Sequence, residues 1–150
     1  MSTKFFTNSE ENTLIKKFEG FKAVPYNDIA GYPTIGFGHK IVAGEVFGAL
    51  SSVEATSLLE KDCAWAVTII NTAVSVMLEQ HQFDALCSFT YNVGAHAFAT
   101  STLLKRINEE KFGEAANEFL KWCHAGGKHS DGLFRRRQNE REFFLTGKTL

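Results

Sequence analysis

The sequence predicts an α+β fold that is mainly helical, with a small β-containing N-terminal lobe followed by a helical C-terminal lobe. Residues 21–47 hold both prolines and many glycines, which favours strands and turns over helix. From Ser51 onward, apolar residues recur at helical spacing through most of the chain. A length of 150 residues is typical of one domain.

The first helix is predicted to start near Asn8, whose side chain can cap it and has a glutamate three residues further on. Leu14, Phe18 and Phe21 follow at spacings of four and three, which places them in one apolar stripe. Gly20 is expected to end this helix.

Alternation within GYPTIGFGH predicts a strand and turn with two different faces. Ile35, Phe37 and His39 share one face, which is mainly apolar and is expected to pack inward, so His39 is expected to be structural. The opposite face holds Thr34 and little else beyond glycines, so another group can approach the backbone closely. A hairpin weakened by glycine, without any ligand, is the alternative.

A long helix is predicted over residues 52–73, because the stretch from Ser51 to Glu54 has the pattern of a capping box and apolar residues recur after it. At 1.5 Å per residue it would be roughly 33 Å long, which is more than a small β lobe needs. We therefore expect it to reach from one lobe into the other. The later predictions are a buried helix over 78–93 ending at Gly94, shorter helices near 101–109 and 113–122, a turn at Gly126 and Gly127, and a last helix over about 133–145 closed by Gly147.

These elements predict a single domain over residues 1–150. The N-terminal lobe is expected at about 13–60 and the helical lobe at about 75–150, and the sequence leaves open how residues 1–12 pack.

Composition excludes several classes of function. Lys and Arg number 16 against 17 Asp and Glu, so the chain lacks the basic excess of a nucleic-acid-binding protein. No stretch approaches the ~20 apolar residues that span a bilayer, and no signal peptide is evident, so we expect no membrane anchor. Arg135, Arg136, Arg137 and Arg141 lie close together near the C-terminus. A solvated helix face and a role at an anionic ligand or active site are equally open for them.

The three cysteines, Cys63, Cys87 and Cys123, form no C-x-x-C pair and are odd in number. We expect small buried side chains in a protein made in a reducing compartment. His124 and His129 are five residues apart and lack the H-E-x-x-H pattern, so no metal site and no other cofactor is expected.

Two carboxyl groups with contrasting surroundings lie near each other in the sequence. Glu19 falls at the C-terminal end of the first helix between phenylalanines, where the helix dipole and an apolar setting both disfavour its anion. Asp28 lies in a polar loop, where solvent and turn amides favour its anion, and Thr34 can hold a water. Such a contrast suits glycoside hydrolysis. The spacing alone is a weak indication, because a solvated helix-end Glu and a turn-forming Asp are common.

The order Glu19, eight residues, Asp28, five residues, Thr34, and then IGFGH resembles the catalytic signature of phage-type lysozymes, glycoside hydrolase family 24. Further stretches agree in the same order, so the similarity covers residues from about 13 to 147. They are FDALCSFTYNVGAHAFATSTLL at 83–104, FLKWCHAGGK at 119–128 and GLFRRRQNEREFFLTG at 132–147.

The resemblance implies a lysozyme-like fold, in which a long helix joins the two lobes and the substrate cleft lies between them. It also implies that Glu19 is the general acid, Asp28 the second catalytic carboxylate and Thr34 the residue that assists the attacking water. Arg136 matches a basic residue that the family places near the catalytic Glu. An arginine there would favour the anion of Glu19, against the helix-end and burial effects, and the sequence leaves open which effect dominates.

The matching motifs make Lys40, Tyr91, Asn92 and Ser101 candidates for substrate binding. For two of them a structural role is also open, since Tyr91 can be a core residue and Ser101 a helix cap.

The implied function is that of an endolysin: a muramidase that hydrolyses the β-1,4 bond between N-acetylmuramic acid and N-acetylglucosamine in bacterial peptidoglycan. A peptidoglycan-binding module without turnover and a lytic transglycosylase making 1,6-anhydro products are the alternatives. The family is commonly encoded by phages or prophages, so we expect a monomer that is made in the bacterial cytoplasm, is released by a holin and acts on the cell wall. Delivery by a bacterial secretion system is also open.

Overall fold

The computed structural model describes residues 9–28 and 30–150 and confirms a mainly helical α+β fold. The predicted helix start at Asn8 lies outside the described residues. The elements in chain order are α1 (Ser9–Glu19), β1 (Lys22–Asn27), β2 (Pro33–Gly36), β3 (His39–Lys40), α2 (Ser52–Ala73), α3 (Gln80–Val93), α4 (Ala95–Ala99), α5 (Thr102–Asn108), α6 (Phe112–Glu118), a 3-10 helix (Phe119–Lys121), β4 (His124–Ala125), β5 (Lys128–His129) and α7 (Asp131–Thr146).

The first three strands form an antiparallel sheet in the order β1-β2-β3. Thr34 pairs with Tyr26 on one side and with Lys40 on the other, which places these three residues in one row across the sheet. Ile35 is fully buried and Phe37 is nearly so, which confirms that this face packs inward. The row through Thr34 is the part of the sheet that faces the candidate site.

Helix α2 has the predicted bounds, and both bonds of the capping box between Ser51 and Glu54 are present. Leu59 and Cys63 belong to a small core under the sheet, whereas Ile70 belongs to the large core of the helical lobe. The helix therefore extends from one core into the other, as predicted. In residues 9–28 and 30–150, no helix combines the length and the apolar character needed to span a bilayer.

Helix α1 lies between the same two cores. Leu14 is buried in the large core and its neighbour Ile15 in the small one. Phe18 packs against the large core, while Phe21 is half-exposed and its ring lies 5.3 Å from that of Phe37. Gly20 adopts a φ of +70° and its N–H closes the last turn, which confirms the predicted helix end. Both lobes thus fix the position of the last residue of α1.

The helical lobe differs from the prediction in several boundaries. Helix α3 begins at Gln80, because Glu79 caps it, and it ends at Gly94 as predicted. Helix α4 was not predicted, and the helix expected over 113–122 is divided into α6 and the 3-10 helix. The turn at 126–127 joins β4 to β5, and α7 begins at Asp131 because the side chain of Ser130 caps it. Cys87 on α3 is fully buried, as is Cys63 on α2, in agreement with the prediction.

Candidate active site

A cavity of about 340 Å³ lies at the row of side chains through Thr34 and brings three predicted residues together. Glu19 is the last residue of α1, Asp28 directly follows β1, and Thr34 lies in β2. The remaining residues that line the cavity are Tyr26, Gly38, Lys40, Tyr91 and Asn92.

Asp28 is positioned by the turn that joins β1 to β2. Its backbone N–H donates to the carbonyl of Tyr32 at 2.9 Å, and its carbonyl accepts from the N–H of Gly31 at 2.9 Å. Its carboxylate Oδ1 accepts from the backbone N–H of Tyr32 at 2.8 Å. The side chain thus closes the turn in the way that aspartate commonly does, which holds its carboxylate at the cavity.

The charge of Asp28 is favoured by two neighbours. The ammonium group of Lys40 and the Tyr32 N–H, which both donate to the carboxylate, lower the pKa of Asp28 below its usual range. The expectation that Asp28 is ionised therefore agrees with its hydrogen bonds. The Lys40 side chain is largely exposed, and its ammonium group also lies 5.9 Å from the centre of the Tyr32 ring.

The carboxylate of Glu19 has different contacts on its two oxygens. Oε1 accepts a hydrogen bond of 3.0 Å from Nη1 of Arg136, so the predicted proximity of this arginine is observed. Oε2 lies against Gly38, where an added Cβ would be only 2.9 Å away. The bare face of the hairpin therefore admits the chain's own Glu19, and Gly38, with a φ of +83°, is required there.

Arg136 is held by a buried charge network on α7. Glu140 is fully buried and accepts from Nε of Arg136 at 3.2 Å, from Nη1 of Arg137 and from Oγ of Ser88 at 2.6 Å. Arg136 therefore binds two carboxylates, those of Glu19 and Glu140, and Glu140 also binds Arg137. A solvated helix face is thus the wrong interpretation for Arg136 and Arg137, which are both buried.

The hydroxyl group of Thr34 is oriented by the turn that joins β1 to β2. The side chain is 1% exposed, and its Oγ1 donates to the carbonyl of Tyr32 at 2.8 Å. Because the single hydroxyl proton is used in this bond, the oxygen can act toward the cavity only as an acceptor.

The structure places three of the four candidate substrate-binding residues at the cavity. Lys40, Tyr91 and Asn92 line it. Tyr91 also packs against the small core and stacks on Trp65 with ring centres 6.5 Å apart, and burial raises the pKa of its phenol. The amide oxygen of Asn92 accepts from Arg137, so its NH₂ group is left to donate.

Ser101 does not lie at the cavity, and the expectation of a substrate contact is corrected here. Its side chain is buried and caps α5, because Oγ accepts from the N–H of Leu104 at 3.1 Å and donates to the carbonyl of Phe98 at 2.7 Å. The hydroxyl group is therefore used within the helical lobe.

Two further cavities adjoin the first. One of about 360 Å³ shares Gly38, Lys40 and Tyr91 with it, and one of about 490 Å³ shares Asn92. The largest of these three cavities, of about 490 Å³, is lined by neither Glu19 nor Asp28. These three neighbouring cavities, called the groove below, suit a chain-like ligand better than a small molecule.

His39 has the structural role that the sequence predicts. Its Nδ1 lies 2.8 Å from a carboxylate oxygen of Asp62 on α2, and its Nε2 lies 3.0 Å from one of Glu45. Burial alone would lower the pKa of His39, but these two carboxylates outweigh it and raise the pKa above its usual value. The imidazole therefore ties the hairpin to α2.

The sequence did not identify Tyr26, Ser88 or Glu140 as residues of this site, whereas Gly38 lies on the glycine face that was expected to admit a close approach. Tyr26 pairs with Thr34 across β1 and β2, a register that the alternation within GYPTIGFGH does not give. The network around Glu140 has a weak signal, the spacings of three and four residues from the two arginines on one helix.

Comparison with known proteins gives one consistent result. Residues 16–140 match the family model described as phage lysozyme. The endolysin of Salmonella phage P22 is 40% identical over 141 residues, which cover 89% of this chain and 94% of that protein. The endolysin of Bacillus phage B103 is 44% identical over 138 residues, which cover 91% of this chain but 52% of that relative, so the chain spans about half its length.

Solved structures agree with the fold. The endolysin from Escherichia coli O157:H7 phage FAHEc1 superimposes with a TM-score of 0.91 at 31% identity, covering 100% of this chain and 99% of that one. A mutant of P22 lysozyme superimposes with a TM-score of 0.86 at 38% identity, covering 95% and 99%. The predicted lysozyme-like fold is therefore confirmed.

Proposed function

Because this chain belongs to the phage lysozyme family, we propose that it is an endolysin, a muramidase that hydrolyses the β-1,4 bonds between N-acetylmuramic acid and N-acetylglucosamine in peptidoglycan. The observation that supports the proposal most strongly is that Glu19, Asp28 and Thr34 line one cavity, although they come from the end of α1, from the turn after β1 and from β2. Glycosidases need two carboxyl groups across the scissile bond, and Glu19 and Asp28 are the two that line this cavity.

In the proposed reaction Glu19 is the general acid. Arg136 holds Oε1, so the proton is carried on Oε2, the oxygen beside Gly38. That proton passes to the glycosidic oxygen as the bond to the anomeric carbon breaks, and the leaving sugar departs as an alcohol.

Asp28 supplies the negative charge that the developing sugar cation requires. Its contacts with Lys40 and the Tyr32 amide keep it ionised, as this role demands. Thr34 can accept a hydrogen bond from a water through its free lone pairs, which would orient one lone pair of that water toward the anomeric carbon.

The groove supports a polymeric substrate. Lys40, Tyr91 and Asn92 are the proposed contacts to sugar at the central cavity. The Trp65 and Tyr91 rings line the adjoining cavity of about 360 Å³, and aromatic rings with a polar tip suit the mixed apolar and hydroxyl surface of a sugar ring.

The activity is tested by measuring new reducing ends released from purified peptidoglycan. We expect Glu19→Gln to lower the rate by about 10²- to 10⁴-fold, the usual contribution of a general acid. A large loss is also expected for Asp28→Asn, since the cation would lack its anion. Glu114→Gln, on an exposed position of α6, is the matched control and should retain full activity. Most of the wild-type rate in Glu19→Gln would exclude the assigned role.

The same assay separates the alternatives. A binding module without turnover would release no reducing ends from the wild-type chain. A lytic transglycosylase would release 1,6-anhydro muropeptides, which mass spectrometry distinguishes from hydrolysed ones. The acceptor position of Thr34 favours water, so we expect hydrolysed products.

For the biological setting, we propose a monomer that is made in the cytoplasm of a bacterial host and reaches the cell wall when a holin opens the inner membrane. The endolysin names of the relatives support a role in lysis. Cells that express the chain should lyse only when a holin is co-expressed, and light scattering of the purified chain should give the monomer mass. Lysis without a holin would contradict this route.

A further inference from the structure

A second group of chemically reactive side chains lies at the hairpin of β4 and β5. Sγ of Cys123 is 3.7 Å from Nδ1 of His124 and 3.5 Å from Nδ1 of His129. One potential ligand atom from each residue lies within 4.8 Å of the other two. We propose that Cys123, His124 and His129 bind one divalent transition-metal ion of the Zn²⁺ type.

The spacing of the atoms fits a tetrahedral ion. Zn–S bonds of about 2.3 Å and Zn–N bonds of about 2.0–2.1 Å place sulfur and nitrogen about 3.6 Å apart at a tetrahedral angle. The two observed separations, 3.7 and 3.5 Å, lie on either side of this value.

The hairpin holds the three residues in place without metal. His124 pairs with His129 across the two strands, and the turn at 126–127 closes the hairpin. At its base the N–H of Ser130 donates to the carbonyl of Cys123 at 2.8 Å. Cys123 is buried and the two imidazoles are exposed, so an ion can enter from solvent and reach the sulfur.

Asp131 orients one of the imidazoles. Its carboxylate lies 3.2 Å from Nε2 of His129, while Nδ1 of the same ring faces the sulfur. A carboxylate on the far nitrogen places the ring proton there and leaves Nδ1 with its lone pair free for a metal. This arrangement of carboxylate, imidazole and metal recurs in metal sites of proteins.

The ligand set determines the class of ion. One thiolate and two imidazoles suit Zn²⁺ and Co²⁺, whereas Mg²⁺ and Ca²⁺ prefer oxygen. Three protein ligands leave the fourth tetrahedral position for water. The spacing of the two histidines alone predicted no metal, and the hairpin is what brings His129 to the adjacent residues Cys123 and His124.

The site is separate from the carboxylates. His124 lines the cavity of about 490 Å³, and neither Glu19 nor Asp28 does. Between the hairpin and α7, Nε of Arg137 donates to the carbonyl of Trp122 at 2.8 Å. A bound ion is therefore expected to stiffen one wall of the groove, and its binding does not depend on the proposed activity.

Binding is tested with Co²⁺ on the full chain, prepared without a histidine tag, stripped with a chelator and kept reduced. We expect one equivalent of Co²⁺ to give the visible d–d absorption of a tetrahedral ion together with a thiolate-to-cobalt charge-transfer band, and Zn²⁺ to abolish both. Absence of the charge-transfer band in the wild-type chain would overturn the proposal.

Variants identify the ligands. Cys123→Ser should remove the charge-transfer band, and His124→Ala and His129→Ala, at exposed positions that leave folding intact, should each weaken binding by at least tenfold. Asp131→Asn should weaken it by about 10- to 100-fold, as is usual for a residue that orients a ligand. His96→Ala, an exposed histidine of α4, is the control and should bind as the wild type does. A charge-transfer band that persists in Cys123→Ser would assign the metal elsewhere.

Thermal unfolding gives a readout without cobalt. At a Zn²⁺ concentration about 100-fold above the dissociation constant, Tm should rise by roughly 5–10 °C. The rise should fall to about half or less in His129→Ala and persist in full in His96→Ala. An equal rise in both variants would show that Zn²⁺ acts at another position and would contradict the proposal.

Discussion

Glu19 and Asp28 face the same cavity but are held by two very different regions of the molecule. The hydrogen-bond partner of Glu19, Arg136, lies 117 residues away in the chain and is buried. The partner of Asp28, Lys40, lies 12 residues away and is largely exposed. The two carboxylates are therefore supported by a buried long-range network and by a local, solvated hairpin.

This difference indicates what each support contributes. The Glu19 region depends on the buried guanidinium groups of Arg136 and Arg137 and on the carboxylate of Glu140 that binds both. The sheet region that holds Asp28 depends on the ammonium group of Lys40, which is in contact with water, and on His39, whose pKa is raised by Glu45 and Asp62. We therefore expect changes near Glu19 to affect folding and activity together, and changes near Asp28 to act mainly through pH.

The largest effect is expected for Glu140→Gln, which removes the negative charge from the buried network that holds Arg136. Glutamine has the same shape, but Glu140 receives donors from Ser88, Arg136 and Arg137, so the variant loses the anion that two buried cations need. Urea unfolding should show a loss of about 3–5 kcal/mol in the free energy of unfolding. Glu114→Gln, at an exposed site, should change it by less than about 0.5 kcal/mol. Equal midpoints for the two variants would contradict the importance of the network.

Gly38→Ala should disturb the contact between Gly38, in the turn that follows β2, and the carboxylate of Glu19 at the end of α1. Its added Cβ would lie 2.9 Å from Oε2 of Glu19, and the φ of +83° is unfavourable for alanine. We expect a cost of about 1–2 kcal/mol in stability from the backbone and at least a tenfold loss of activity as Glu19 is displaced.

Gly44→Ala is the matched control, because Gly44 has a φ of +92° and no atom within 4 Å of an added Cβ. It should show similar strain with activity retained. If both variants lose activity equally, backbone strain and not the displacement of Glu19 is responsible.

Local patterns predicted the parts of the fold that local interactions determine. The bounds of α2 followed from the capping residues Ser51 and Glu54 and from its apolar spacing. Helix α4 escaped prediction because it begins immediately after Gly94, a residue that usually ends a helix and does so for α3. The division of the 113–122 helix likewise depends on packing that a single stretch of sequence does not contain.

The site was predictable in its residues but not in its contacts. Glu19, Asp28 and Thr34 were identified through the resemblance of a motif, since their spacing alone is weak. The glycine face of the hairpin predicted a close approach without indicating that Glu19 makes it. The bond from Arg136 to Glu19 joins opposite ends of the chain, and its geometry exists only after both lobes pack.

Lys40→Met tests the solvated support of Asp28. Removing the ammonium group removes the main cause of the lowered pKa of Asp28, so that pKa should rise toward its ordinary value while the Tyr32 amide bond remains. The pH below which kcat/KM falls should therefore move upward, because Asp28 becomes protonated at a higher pH. Stability should change little, since water screens this pair. Lys105→Met, an exposed lysine on α5, should leave this pH unchanged, and an unmoved fall in kcat/KM for Lys40→Met would exclude Asp28 as its origin.

The smallest effect concerns His39, the titrating anchor of the hairpin. Because Glu45 and Asp62 raise its pKa in the folded state, its contribution to stability is complete below the unfolded pKa of about 6.5 and is lost as pH rises through the folded pKa. The difference in urea midpoint between the wild type and His39→Gln should therefore be larger at about pH 6 than at about pH 8.5. His96→Gln, at an exposed position, should show no such dependence. If the difference in urea midpoint grew with pH, the imidazole would anchor α2 as a neutral group. The sheet that holds Asp28 would then be no more sensitive to pH than the arginine network.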